Sequence, residues 1–516
     1  MKRRSFLKRT SIISVPTFFG GLPLTALPSS QMNELVNGES DRVLVIIDLN
    51  GGNDGLQTFF PLDSYDNLVN ARPNIIIPQN QLLSLTDTIS VHPSMTGIKN
   101  LYDNAKLTVL QNAGYSNGDR SHFRSADIWN NGIQSSSTLT TGWIGRYLDD
   151  RYPGYPENYP SADCPDPFAV TIGRTPSQSC QGSGGNFSWS ILDPNGLTEL
   201  NGVVDPPIPE NCYGDGLRFI IDTYKKTNAY GERVTIASNA GANLHEYPDT
   251  TLANQLKIVA RLISGGLQSK VYVLQQGGYD THSSQVGGGS TSTGNHANLL
   301  SELSDAIFSF QEDLKLLNIE ERVIGMTFSE FGRQIKSNAS NGTDHGTAGP
   351  MMIFGSCVNS GIIGDNPVIS DSVADQEGVP IQFNFRWVYG SILMDWFEVP
   401  ETKVRELLQP DFQYIPICNN CDLVSTEDQV LTSLKAKASP NPFRNSINLS
   451  FEMEKIDLVR IDLLDVFGKI IRTVLNKSLP FGEHNMLIET HQLTSGVYFI
   501  RLQIAGKMKS LRIVKQ

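Results

Sequence analysis

Short, continuous apolar runs alternate with helix-spaced stretches along most of the chain. Arg42-Val-Leu-Val-Ile-Ile-Asp48 is the first run, followed by Lys106–Gln111, Lys270–Gln275, Arg322–Phe328 and the shorter Pro350–Gly355. A run that is apolar at every position, not every second one, predicts a strand buried on both faces of a parallel sheet. Between the runs, Leu299, Leu300, Leu303, Ile307, Phe310, Leu314 and Leu317 recur at three- and four-residue steps and predict a helix over 296–317. Leu252, Leu256, Val259, Ala260 and Ile263 predict another over 251–264, with Gly265 as its C-terminal cap. Strands alternating with helices imply an α/β sheet, which places its ligands in the loops beyond the strand ends.

The pattern changes twice. Residues 150–215 are rich in Pro, Gly, Ser and Asn and read as a loop-rich surface insertion. After Ala438-Ser-Pro-Asn-Pro-Phe443 the period falls to two: Ile447–Phe451, Val459–Val466, Ile470–Val474, Met486–Ile488, Val497–Ile504 and Leu511–Val514 alternate between turn signals. That predicts a small β-sandwich. The expected organisation is an N-terminal segment 1–31, an α/β body 32–425, a linker 426–437 and a terminal domain 438–516.

Charge divides the chain in the same places. The net charge is −12, but residues 1–31 carry +5 and residues 433–516 carry +6, leaving −23 between them. A body that acidic excludes phosphate-backbone binding as its function, so no nucleic acid partner is expected. No apolar run has the length of a membrane span. Ser11–Leu27 is the nearest, broken by Pro16, Gly20, Gly21 and Pro23. It follows Lys2-Arg3-Arg4-Ser5-Phe6-Leu7-Lys8, which resembles a twin-arginine export signal and implies the twin-arginine translocase as a partner. Six cysteines fit an oxidising compartment, with pairing left open. Cys418-Asn-Asn-Cys421 has no second pair and no βαβ context, so a structural disulfide or thiols are expected there, not a redox or zinc site.

Candidate ligands concentrate at the strand ends. Asp48 ends the first run, Asp280 and His282 follow the third in Gly277-Gly-Tyr-Asp-Thr-His282, and Glu330 ends the fourth in Ser329-Glu-Phe-Gly-Arg333. Gly342-Thr-Asp-His-Gly-Thr347 adds Asp344 and His345. Singly, each reads as a turn cap or loop polarity. Together, carboxylates and imidazoles beyond successive buried strands suit zinc or a similar divalent metal. After the second run come Arg120, Ser121, His122 and Arg124 at the start of a helical stretch. A hydroxyl at a helix N-terminus meets backbone donors that favour an anion, and the arginines can fork onto phosphate or sulfate. The same serine also reads as a simple N-cap.

Asp48-Leu-Asn-Gly-Gly-Asn-Asp54, Arg120-Ser-His-Phe-Arg-Ser-Ala-Asp-Ile-Trp129, Thr141-Gly-Trp-Ile-Gly-Arg146, Asp280-Thr-His282, Thr327-Phe-Ser-Glu-Phe-Gly-Arg333 and Gly342-Thr-Asp-His-Gly-Thr347 resemble the family of unknown function numbered 1501. That family is related to the alkaline-phosphatase and sulfatase superfamily. The resemblance implies an alkaline-phosphatase-like fold with Asp48, Asp280, His282, Glu330 and His345 as metal ligands and zinc as the probable type of ion. It implies Ser121 as nucleophile, with Ser125 in reserve, and Arg120 and Arg124 balancing charge. Phe331 stands where the superfamily has a histidine, and Asp280 and His282 are closer in sequence than is usual. His296 or His122 is left to supply the missing imidazole. Ser-Pro-Asn-Pro-Phe443, Val466-Phe-Gly-Lys469 and Leu493-Thr-Ser-Gly-Val-Tyr-Phe-Ile-Arg501 resemble the C-terminal sorting domain of type IX secretion cargo, implying that machinery as a partner and a cell-surface or extracellular destination. The expected function is metal-dependent hydrolysis of a small anionic ester. The alternative is a non-catalytic surface protein that keeps the fold and binds glycan or an envelope partner.

Overall fold

A computed structural model describes residues 18–19, 22–23, 41–194, 208–418, 436–453, 457–465, 470–480, 482–504 and 507–515. Outside the described residues lie Arg3, Arg4 and all of the segment 1–31 but 18–19 and 22–23, together with Cys421 and nearly all of the linker 426–437. Nine strands form the central sheet: β1 (Val43–Asn50), β2 (Leu107–Gly114), β3 (Ala169–Ile172), β4 (Ser188–Ile191), β5 (Val271–Gly277), β6 (Val323–Phe328), β7 (Gly349–Phe354), β8 (Gly361–Ile363) and β9 (Phe383–Asn384). Their order is β8-β2-β7-β6-β1-β5-β3-β4, with β9 also on β2. β1 is central, parallel to both β5 and β6, and Val43 to Ile47 are at most 2% exposed. That burial on both faces is why the run carries no alternation.

The sheet departs from expectation in two places. β7 runs antiparallel to both β6 and β2, because the chain returns from β6 through the long loop 329–348, which holds no crossover helix. Within 150–215, expected as a surface insertion, β3 and β4 extend the sheet as parallel strands.

Helices α1 (Thr96–Asp103), α2 (His122–Asn131), α3 (Trp143–Arg151), α4 (Cys212–Ala240), α5 (Thr251–Ser264), α6 (Asn295–Leu316) and α7 (Phe385–Asp395) flank the sheet. One apolar cluster joins α5 and α6 to one sheet face, and a second joins α2, α3 and α7 to residues such as Leu44, Ile46 and Met326 on the other. The side chain of Thr250 caps α5 by accepting from the Ala253 N–H. No helix of the described residues is long and apolar enough to cross a membrane.

The terminal domain is two antiparallel sheets. One comprises 436–439, 446–453 and 482–489; the other comprises 457–464, 470–479, 496–504 and 507–515. Ile447, Leu449, Phe451, Val459, Ile461, Ile488, Ile500 and Leu502 from both sheets form a shared core, as a sandwich requires. Leu464 and Phe499 join the body's apolar cluster instead. Cys357 is in a disulfide, whereas Cys418 is a buried thiol.

Candidate functional site

The loops after β1, β5 and β6 and the N-terminus of α2 meet beyond the strand ends. After β1 the chain turns through Gly51 and Gly52 at φ +119° and +81°. A Cβ on Gly51 would lie 2.4 Å from the Asp280 nitrogen, and one on Gly52 2.3 Å from the Phe331 ring. Both the torsions and the close approach therefore demand glycine.

After β5, the Thr281 N–H donates to the Tyr279 carbonyl at 2.8 Å and the His282 N–H to the Asp280 carbonyl at 3.0 Å. These consecutive i→i+2 turns curl the chain, bringing Asp280 Oδ1 within 3.1 Å of His282 Nε2 despite the short spacing. After β6, the Gly332 N–H donates to Thr347 and the Gly346 N–H to Gly332, each at 2.8 Å, setting His345 opposite Arg333 in a β-bridge.

Arg333 ties these loops together. Its guanidinium is buried and donates to the carbonyls of Gly52 (2.7 Å), Thr343 (2.9 Å), Tyr279 (2.8 Å) and Gly51, and to Asp280 Oδ1 (2.8 Å). One cation therefore fixes three loops and one carboxylate.

The hydrogen bonds also set the imidazole tautomers. His345 Nδ1 lies 2.8 Å from the Arg120 carbonyl, which can only accept, so Nδ1 carries the proton and Nε2 a lone pair. His282 Nδ1 lies 2.7 Å from Asp344 Oδ1. Burial alone would raise the Asp344 pKa, but hydrogen bonds from His282 and Asn338 bring it below the usual range, so it accepts from Nδ1–H and leaves His282 Nε2 bare. The two Nε2 atoms are 2.8 Å apart, and each is 3.1 Å from Asp280 Oδ1. Asp280 is ionised: against the raising effect of burial, the hydrogen bond and charge of Arg333, joined by a hydrogen bond from His345 when its Nε2 carries a proton, hold it at about 2. A proton on His345 would relieve the crowding, but burial, opposed by the Arg120 and Asp280 hydrogen bonds, lowers its pKa. With both rings neutral in these tautomers, three lone-pair donors face one another, an arrangement able to hold a cation. Ligands about 2.0–2.1 Å from a tetrahedral zinc are about 3.3 Å apart. The Asp344–His282 pair is the orienting carboxylate–imidazole arrangement of such centres.

His122 adds a third imidazole. Its Nδ1 is 2.9 Å from Glu330 Oε1 and its Nε2 3.4 Å from Asp280 Oδ2. His122, Asp280 and His345 each place a ligand atom within 4.8 Å of the others. Phe331 packs on both His122 and His345, with ring centroids 5.1 and 4.6 Å away.

Of the residues expected at the site, Asp280, His282 and His345 come together in one cluster. Glu330 is 2% exposed and accepts from the Gly51 N–H at 2.8 Å as well as meeting His122. Asp48 accepts from Gln275 Nε2 at 3.0 Å. Ser121 is the N-cap residue of α2, exposed, with a hydroxyl that makes no capping hydrogen bond. It stands between Arg120, whose carbonyl holds His345, and His122. The Arg120 guanidinium donates to the Gln376 carbonyl, and that of Arg124 to the carbonyls of Ser135 and Ser137. Ser125 is buried and bonds to Tyr115 at 2.7 Å. His296 meets Asn53 Oδ1 at 2.9 Å. Arg333 is the functional residue that sequence reasoning missed; its only signal was an arginine closing a strand-end loop.

Two carboxyls of the body titrate high. Burial, reinforced by the Glu330 charge and opposed by Gln275, raises Asp48 to about 7. Burial, opposed by hydrogen bonds from Tyr414 and the Cys418 N–H, raises Asp395 to about 7. A carboxyl whose folded pKa exceeds its unfolded value gives stability below the unfolded pKa that is lost as pH rises through the folded one. Asp48→Asn and Asp395→Asn are each expected to raise the stability of metal-free protein at pH 8 relative to pH 4, by roughly 2 kcal/mol after allowing for partial exposure. Denaturant titrations at the two pH values, wild type against variant, check this; differences that do not change with pH would contradict it.

Residues 222–384 match the model of a family described as a protein of unknown function (DUF1501), and residues 437–516 match the secretion system C-terminal sorting domain. The second match assigns the protein to export, at the cell surface or in the extracellular space, and implies the secretion machinery as a partner. No curated protein matches the chain. Among solved structures, similarity is found to a Bacteroides thetaiotaomicron protein from work on the metabolism of multiple glycosaminoglycans (9% identity, 87% of this chain and 90% of that one, TM-score 0.35). A Vibrio parahaemolyticus protein in the alkaline phosphatase superfamily is also similar (9% identity, 92% and 83%, TM-score 0.32). So is the PsFucS1 sulfatase from Pseudoalteromonas sp. (10% identity, 91% and 85%, TM-score 0.30).

Proposed function

We propose that the protein is a metal-dependent hydrolase of phosphate or sulfate esters, with zinc held by Asp280, His282 and His345. The observation that carries this reading is the convergence of three lone pairs whose tautomers are already fixed. His122, close to both Asp280 and His345, is proposed as a further ligand oriented by Glu330, and Asp48 as another. A bound divalent ion would supply Lewis-acid stabilisation of the anionic oxygens and lower the pKa of an adjacent hydroxyl.

The chain's own residues do the rest. Ser121 presents its hydroxyl at the positive end of α2, where the backbone donors favour an anionic ester. Its oxygen would attack phosphorus or sulfur, forming the serine ester as the leaving alcohol departs with a proton. Water would then cleave that ester, restoring the hydroxyl and releasing phosphate or sulfate, so the net change is addition of water across the substrate ester. Ser121→Ala is expected to keep its metal and to lose turnover of an aryl phosphate or aryl sulfate at least about a thousandfold. Steady-state assays with metal analysis of the same samples check it, and retained turnover would remove the serine from this role.

A binding protein without turnover is the second reading, favoured by the carbonyl contacts that occupy the Arg120 and Arg124 guanidinium groups. Metal-loaded wild type that turns over no phosphate or sulfate ester would establish it. For the route of export we propose the twin-arginine translocase. Lysine at positions 3 and 4 keeps the charge but not the guanidinium pair, so Arg3→Lys with Arg4→Lys is expected to leave precursor in the cytoplasm. Fractionation with unimpaired export would contradict it.

A further inference from the structure

The open face of α2 carries a feature that the ester chemistry does not use. Phe123, beside His122 in the first turn, is 87% exposed. Asp127 and Asn131 follow at four-residue steps, so all three lie along one helix face, which passes from exposed at Phe123 through half-buried Asp127 to buried Asn131. Arg124, Asp127 and Asn131 line an open cavity of about 560 Å³, together with Thr138 and Gln178. That volume suits a small-molecule site, and its lining is mixed: Leu139 and Pro176 stand beside amides, hydroxyls, the Asp127 carboxylate and the Arg124 guanidinium. The wall is set in advance: Gln178 donates to Asn131 at 3.2 Å, and the carbonyls of Ser135 and Ser137 hold Arg124. The Asp127 carboxylate accepts no hydrogen bond from a side chain or backbone group among the described residues.

We infer that this trough is a saccharide subsite, taking hexose or N-acetylhexosamine units of an oligosaccharide whose ester reaches the metal cluster. The ester part of the inference rests on the hydrolase reading above; the saccharide part stands on the trough. Sugar hydroxyls both donate and accept, which matches amides and a carboxylate, while the apolar C–H face of a pyranose covers an exposed phenyl ring. A protein partner would call for a packed cluster of apolar anchors, where this face exposes Phe123 and Leu139 among polar groups, and a nucleic acid would call for positive charge, where the cavity has Arg124 alone beside Asp127. From His122 to Asn131 the helix rises about 13 Å, the reach of a short oligosaccharide running from the cluster into the cavity.

Calorimetric titration of the full chain with chitotetraose and cellotetraose, after chelation of metal, tests the subsite apart from the ester chemistry. Saturable binding of at least one is expected, weakened about tenfold by Phe123→Ala and by Asp127→Ala, with metal uptake by both variants unchanged. No saturable binding to wild type, or the same affinity in both variants, would overturn the subsite. Persistent oligosaccharide binding with no ester turnover by metal-loaded protein would overturn the hydrolase reading alone.

Discussion

Replacing His345 by alanine is expected to abolish stoichiometric metal binding and, with it, ester turnover, while the fold survives. The imidazole supplies one of three lone pairs, and its Nδ1–H holds the Arg120 carbonyl, so its loss removes a ligand and loosens the segment that presents Ser121. A three-ligand site that loses an imidazole retains metal poorly. The strands of the central sheet are buried independently of this loop, so far-ultraviolet circular dichroism and the unfolding midpoint of metal-free protein should change little. Equilibrium dialysis against zinc reads the effect directly: about one ion per wild-type chain, and none tightly held by His345→Ala. Equal zinc in both would place the ion elsewhere.

Arg333→Met should cost the fold more than any ligand substitution. The change leaves four carbonyls and the Asp280 carboxylate without their buried donor, a loss in the range of about 3–5 kcal/mol for a broken buried charge network. Arg333→Lys is expected to recover little, because an ammonium cannot reach the carbonyls of Gly51, Gly52, Tyr279 and Thr343 from one plane. Urea titrations of metal-free protein measure this. A loss below about 1 kcal/mol would show that the three loops hold one another without the clamp. Metal affinity should fall as well, since Asp280 loses the bond that aims it.

The sheet was legible in the sequence wherever burial was two-sided. Val43–Ile47, Val271–Leu274 and Val323–Met326 are runs without a polar break because each strand has a neighbour on both sides and helices on both faces. β3 and β4 escaped notice because four-residue strands among Pro, Gly and Ser give too short a pattern to separate from loop. The reversed direction of β7 was hidden for a different reason: an apolar run reports burial and says nothing about strand polarity. In the terminal domain, alternation gave the strands their places because one face of each sheet is exposed.

The candidate ligands were legible for the same reason that they are unusual, as carboxylates and imidazoles directly after buried strands. Their roles were not. Glu330 and Asp344 look alike in sequence to Asp280, and only the fold shows that Asp344 orients His282 and that Glu330 sits beneath His122. Beyond its place at the close of a strand-end loop Arg333 gave no signal, because its five partners are mostly backbone carbonyls, which every residue type carries.

Anomalous diffraction at the zinc edge, on crystals of zinc-loaded protein, tests the metal centre most directly. The expected result is one peak per chain, within about 2.0–2.2 Å of His282 Nε2, His345 Nε2 and an Asp280 carboxylate oxygen. A fully loaded crystal with its peak away from these three atoms, or with no peak, would contradict it.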